Sequence, residues 1–171
     1  MRRARVFISC GQRTNREITI GKSVEDYFIE RGFNTYFAER VHSSDALTEN
    51  IFRALRNSEY FLFIDFRREK IEEDEDQYRG SLFVNQEIAI ATFLGLTGVG
   101  FCENLIKREG ILEYHIYNEH YFEDGTEIIN KLKELTKDWD PTSVNELEIQ
   151  PIVTTTKDIQ VSDLPLKPLG D

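Results

Sequence analysis

The chain reads as a three-layer α/β domain built on a five-stranded parallel sheet, and three observations carry that reading. Short apolar runs alternate with amphipathic segments five times. The run Tyr60-Phe61-Leu62-Phe63-Ile64 is apolar at every position, as a parallel strand covered on both faces requires. The length of 171 residues with 40 % hydrophobic content fits one well-packed core plus an appendage, because two domains would each be small.

Arg5-Val6-Phe7-Ile8-Ser9-Cys10 predicts the first strand, and Gly11 to Asn15 the turn that leaves it. A helix follows over Ile18 to Arg31, with Ile20, Val24, Tyr27 and Phe28 on one side, and Gly32 ends it. Phe33 to Ala38 is the second strand. Beyond the loop Glu39 to Ser44, apolar residues recur at Leu47, Ile51, Phe52 and Leu55 in a helix over Asp45 to Asn57, with Ser44 or Asp45 placed to cap it. Tyr60 to Ile64 is the central strand, with Asp65 at its C-terminal end. Arg67 to Gly80 is charged and without periodicity, which predicts a long surface loop. An apolar helix begins at Ser81. Gly98 to Cys102 is the fourth strand, Glu103 to Glu109 a one- or two-turn helix, Tyr114 to Tyr117 the fifth strand, and Tyr121 to Lys137 a closing amphipathic helix. Right-handed crossovers then give the strand order 2-1-3-4-5, a flavodoxin-like domain over residues 1–140.

Residues 141–171 differ in kind, since Pro141, Pro151, Pro165 and Pro168 are all the prolines and no aromatic follows Trp139. This stretch reads as a tail or linker, with Ile149 to Thr156 β-branched enough for an added edge strand. The net charge of −10 and the acidic run Glu72 to Asp76 argue against a nucleic-acid partner. No apolar stretch is long enough for a membrane span or a signal segment, so a cytoplasmic protein without a membrane partner is expected. Cys10 and Cys102 sit in apolar strand runs, as reduced buried thiols do, and His42, His115 and His120 match no zinc spacing, so no metal is expected.

The chemistry points to Glu87. Wound at about 100° per residue, the helix sets Glu87 among Phe83, Ile90, Ala91 and Leu94, whereas Asn85 and Thr92 mark the polar side where a solvating glutamate belongs. A carboxylate on a core-facing arc is costly unless it is paired, protonated or used. In such sheets ligands sit outside the C-terminal strand ends where the winding reverses, between the first and third strands, within reach of Glu87. No G-x-G-x-x-G follows the first strand and no G-x-x-x-x-G-K occurs, which disfavours a hydride-transfer Rossmann enzyme and a P-loop NTPase. A receiver domain is disfavoured as well: Asp65 imitates its phosphoacceptor, but Ser9-Cys10-Gly11 offers no acidic pair.

Three segments, Val6-Phe7-Ile8-Ser9, Asn57-Ser58-Glu59-Tyr60-Phe61-Leu62-Phe63 and Ser81-x-Phe83-x-x-x-Glu87, resemble the conserved boxes of Toll/interleukin-1 receptor (TIR) domains over residues 4–137. The resemblance implies an enzyme that cleaves NAD at the nicotinamide–ribose bond, by hydrolysis or cyclisation, in antiphage defence. NAD is then a substrate and no cofactor is expected. It places the catalytic glutamate at Glu87, four residues after Phe83 where the family usually has tryptophan, and it implies self-association or a protein partner. The loop Glu39 to Ala46 lacks the glycine and proline common there. A carboxylate hydrogen-bonded to ribose hydroxyls stabilises the oxocarbenium character that develops as nicotinamide leaves, and nicotinamide needs no proton. Phe83 or Phe37 is placed to stack on a base or to fill the core. Ser9, Cys10, Gly11, Gln12 and Arg13 leave the first strand beside the crevice, with Arg13 either meeting a pyrophosphate or solvated, and Asp45 is a helix cap or a ribose ligand. Two other readings compete: a nucleoside 2-deoxyribosyltransferase-like enzyme, whose glutamate is a nucleophile but whose usual Asp-x-Gly is absent from Gly80 to Gln86, and a non-catalytic TIR-like assembly module.

Overall fold

The computed structural model describes residues 2–37, 44–72, 74–108 and 117–143, with side chains for all of these except 44–49, 74, 75 and 118. Its elements are β1 (Arg5–Cys10), α1 (Asn15–Glu30), β2 (Asn34–Phe37), α2 (Ser44–Arg56), β3 (Tyr60–Asp65), β4 (Lys70–Ile71), β5 (Asp74–Tyr78), α3 (Leu82–Phe93), β6 (Thr97–Glu103), β7 (Asn118–Phe122) and α4 (Gly125–Leu135). The main sheet runs β2-β1-β3-β6-β7 with every pairing parallel, the expected 2-1-3-4-5 order of a flavodoxin-like fold.

The period of two along each strand sorts its side chains between two apolar layers. Val6 and Ile8 of β1, Leu62 and Ile64 of β3, and Val99 and Phe101 of β6 join Val24 and Phe28 of α1 and Ile128 and Leu132 of α4. Phe7, Phe61, Phe63 and Cys102 face the other way, onto Ala54 and Leu55 of α2 and Val84, Ile88 and Ala91 of α3. The same alternation decides where the polar strand ends point. Ser9 follows Phe7 and Asp65 follows Phe63, so both lie on the α3 side and both are fully buried.

Four expectations need correcting. The span 67–80 is not plain loop, because β4 and β5 pair antiparallel within it and Tyr78 bridges Ile106. Glu103 to Glu109 forms no helix through Lys107: Glu103 closes β6, and Leu105 turns the chain at φ 69° so that it returns to the hairpin. Tyr117 precedes the fifth strand instead of ending it, because its ring is drawn into the α2/α3 layer and its hydroxyl donates to the Leu96 carbonyl at 3.3 Å; residues 114–116 lie outside the described residues. Tyr121 and Phe122 belong to that strand, and α4 starts only after the Asp124 capping box with Glu127.

The end of the described chain is docked. Trp139 stacks on Tyr60 at 4.4 Å and on Phe28 at 5.6 Å between ring centroids. The Ala4 N–H donates to the Pro141 carbonyl at 2.7 Å, and Ser143 N–H donates to Arg2 at 2.9 Å. Residues 141–143 therefore continue the domain, and Ile149 to Thr156 lies outside the described residues.

Candidate active site

A crevice of about 730 Å³ opens at the C-terminal ends of β1 and β3, where the strand order reverses. The β1 exit contributes Cys10, Gly11, Gln12 and Arg13; α2 contributes Ile51; the hairpin side contributes Arg68, Glu69, Arg79 and Lys107; and α3 contributes its first turns, including Phe83 and Glu87. Serine 81 caps α3 through its hydroxyl, which accepts from Val84 N–H at 3.5 Å, so the helix opens onto the crevice with its positive dipole end.

Glu87 lies on the buried side of α3, one turn beyond Val84 and one before Ala91. Its Oε2 accepts a hydrogen bond from the Ser9 hydroxyl, and no cation pairs with it among the described residues. Burial raises its carboxyl to about 7, with the Ser9 hydroxyl pulling the other way. A carboxyl titrating near neutrality in a ligand-sized crevice is suited to acid, base or nucleophilic work. Tyr36, on β2, is the neighbour the sequence did not mark. Its phenol is raised by burial and then by the Glu87 charge, and its ring stacks on Phe7 at 5.2 Å.

The floor beneath is held by two ion-pair groups. Arg68 grips Glu17 of α1 with two bonds of 2.8 Å, and Glu17 also accepts the Arg13 N–H at 2.9 Å. Burial acts to raise Glu17, but Arg68 and Arg13 outweigh it and hold the carboxyl below the usual range. Gly11 lies so close to this pair that a Cβ there would meet Arg68 Nη2 and Glu17 Oε2, and a larger residue would have to displace the pair. Farther back, Asp65 accepts the Ser81 N–H at 2.7 Å and pairs with Arg108 at 3.2 Å, while Arg108 also reaches Glu119, Asn85 and the Cys102 sulfur. Gly80 packs against the Asp65 carboxyl, 2.1 Å from where a Cβ would stand. The Asp65–Arg108 node thus pins the turn from which α3 starts. None of its cation partnerships was readable in the sequence.

Of the expected site residues, Glu87 and Ser9 are brought together, and Cys10, Gly11, Gln12, Arg13 and Phe83 line the same crevice. Phe83 is not core: it is 72 % exposed on the crevice rim. Phe37 goes the opposite way. It follows Tyr36 on β2, so its ring faces α1, where it packs beside Gly21 and against the α1/α4 core. Burial pushes the Cys10 thiol far up, and its sulfur is turned toward the Gly11 and Glu17 carbonyls, so it is inert. Asp45 falls in α2, and its side chain lies outside the described residues. Among the described residues no group of three His, Cys, Asp or Glu side chains is placed to hold a metal ion, and no helix is long and apolar enough to cross a membrane.

No protein-family model matches the chain, and no curated protein matches it. Solved structures do. A CMP N-glycosidase of Clostridium botulinum superposes with a TM-score of 0.52 at 17 % identity, covering 75 % of this chain and 98 % of its own. A 2-deoxyribosyltransferase of Bacillus psychrosaccharolyticus superposes with a TM-score of 0.50 at 13 % identity, covering 74 % and 91 %. Both likenesses establish the fold.

Proposed function

We propose that this protein breaks the N-glycosidic bond of a nucleoside or nucleotide, with Glu87 as the carboxylate at the anomeric carbon. The observation that carries the proposal is the placement of Glu87: half-buried at the switch point of the sheet, held by one serine hydroxyl and by no cation among the described residues, and raised to about 7. Two proteins of the same fold, one a CMP N-glycosidase and the other a deoxyribosyltransferase, support nucleoside glycosidic-bond chemistry, the competing deoxyribosyltransferase-like reading of the sequence more than cleavage of NAD.

Ser9 occupies Oε2, which leaves Oε1 for the sugar. Ionised Glu87 attacks C1′ as the bond from C1′ to the base nitrogen breaks, and the base leaves with the electron pair and takes its proton from water. Water then attacks C1′ and displaces the carboxylate, its proton passing to the hydroxide left when the base was protonated, which releases the sugar and restores Glu87. Phe83 on the rim offers an aromatic face to the base. Glu69 is the other carboxylate lining the crevice among the described residues, and it is exposed. A base that leaves without being protonated suits such a site, and on that ground nicotinamide release from NAD, in the manner of a TIR enzyme, is the second reading.

The test is release of free base from ribonucleosides, deoxynucleosides, nucleoside 5′-monophosphates and NAD, separated by chromatography, with Glu87→Gln beside the wild type. Release that disappears in the variant supports the proposal. Equal release by both proteins, or none from any substrate, refutes it.

A further inference from the structure

The crevice carries a charge that the chain as a whole does not. The protein has a net charge of −10, yet the lining includes Arg13, Arg68, Arg79 and Lys107 against Glu69 and Glu87. Arg68 is committed to Glu17. Arg13, Arg79 and Lys107 are exposed, and none forms an ion pair among the described residues.

Two of these cations are built into one wall. Tyr78 and Ile106 form a parallel bridge, with Tyr78 N–H donating to Leu105 and Lys107 N–H donating to Tyr78, each at 2.9 Å. The next residue on each side of that bridge is Arg79 and Lys107, so the two stand on neighbouring backbones, roughly 5 Å apart as adjacent strands are. Arg79 is fixed again from the other side, where its N–H donates to Glu69 and its carbonyl accepts from Arg68, each at 2.8 Å. Arg13 stands on the β1 exit, also lining the crevice, and its backbone is held by Glu17. The α3 N-terminus adds its dipole to the same space. Side-by-side cations on a backbone fixed at several points, with no ion-pair partner among the described residues, form a seat for a multivalent anion.

We propose that the substrate carries a phosphate or pyrophosphate on its sugar, seated by Arg79 and Lys107 of the hairpin wall and met by Arg13; this rests on the glycosidic reading of Glu87. The base then lies toward Phe83 and the anomeric carbon toward Glu87. An unphosphorylated nucleoside leaves the seat empty and binds weakly.

The experiment is isothermal titration of Glu87→Gln protein, which holds substrate without turning it over, with a nucleoside 5′-monophosphate, the matching nucleoside and NAD. The monophosphate or NAD should bind at least about tenfold more tightly than the nucleoside, with a preference that shrinks as salt is raised. Adding Arg79→Ala and Lys107→Ala should erase that preference while leaving nucleoside affinity and the thermal midpoint unchanged. Tighter binding of NAD than of the monophosphate assigns the anion to a pyrophosphate, and the reverse assigns it to a monoester. Equal affinity for nucleotide and nucleoside, or a preference that survives the double substitution, overturns the seat. Phosphate-dependent binding with no base release by the wild type would overturn the glycosidic reading and leave the seat standing.

Discussion

Two carboxyl groups lie on the same face of the sheet, and their surroundings differ in a way that assigns their roles. Asp65 is 0 % exposed, accepts a backbone N–H, and is paired with Arg108, itself nearly buried. Burial still raises it to about 6, against the pull of Ser81 and Arg108. Glu87 has a single hydroxyl for a partner among the described residues, opens onto the crevice, and is raised to about 7. One carboxylate is consumed by structure and the other is left available. Burial alone does not separate a working carboxylate from a structural one; the number and charge of its partners does.

The largest effect should come from Glu87→Gln, which removes the group that attacks C1′. Base release should fall at least about a thousandfold, the scale of losing a nucleophile. Arg108→Ala should act on the other side of the comparison. It leaves Asp65 and Glu119 buried without their cation, so unfolding free energy measured in urea should drop by about 3 kcal/mol or more. A drop below about 1 kcal/mol would show that Asp65 is not held as the geometry indicates.

The pH dependences run in opposite directions for function and stability. Ionised Glu87 is the reactive form, so kcat/KM should rise with pH up to about 7 and level off above it. For stability, Glu87 binds its proton more tightly folded, at about 7, than unfolded, at 4.5. Its contribution is therefore full below about 4.5 and is lost as pH rises through 7. Glu87→Gln escapes that loss and should unfold with about 2 kcal/mol more free energy than wild type at pH 8, with no such gain at pH 4. The smallest effect belongs to the chain end: truncation after Lys137 should lower the thermal midpoint, because it removes the Trp139 ring that stacks on Tyr60 and Phe28.

The sheet order was legible because each main strand carries a dense apolar run, and right-handed crossovers leave few ways to connect them. Glu87 was legible because it is the one acid in an apolar helix. Its neighbours were read one step out of phase: the buried arc is Val84, Ile88 and Ala91, while Phe83 is exposed and Phe93 is 89 % exposed. The reason is physical, since a helix apolar on all sides carries no periodicity to fix its rotation. Arg108 and Arg68 could not be read at all. Their partners come from β3, β6, β7, α1 and α3, and the segments that hold them have no pattern of their own. The hairpin β4–β5 hid for the same reason, behind a run of charges that reads as loop.

The most direct test of the account puts wild type and Glu87→Gln side by side at pH 8, measuring free-base release and thermal unfolding on the same preparations. The variant is expected to lose base release and to melt at a higher temperature, the mark of a carboxylate kept ionised for work at a cost to the fold. Retained release, or a variant that melts lower than wild type, would contradict it.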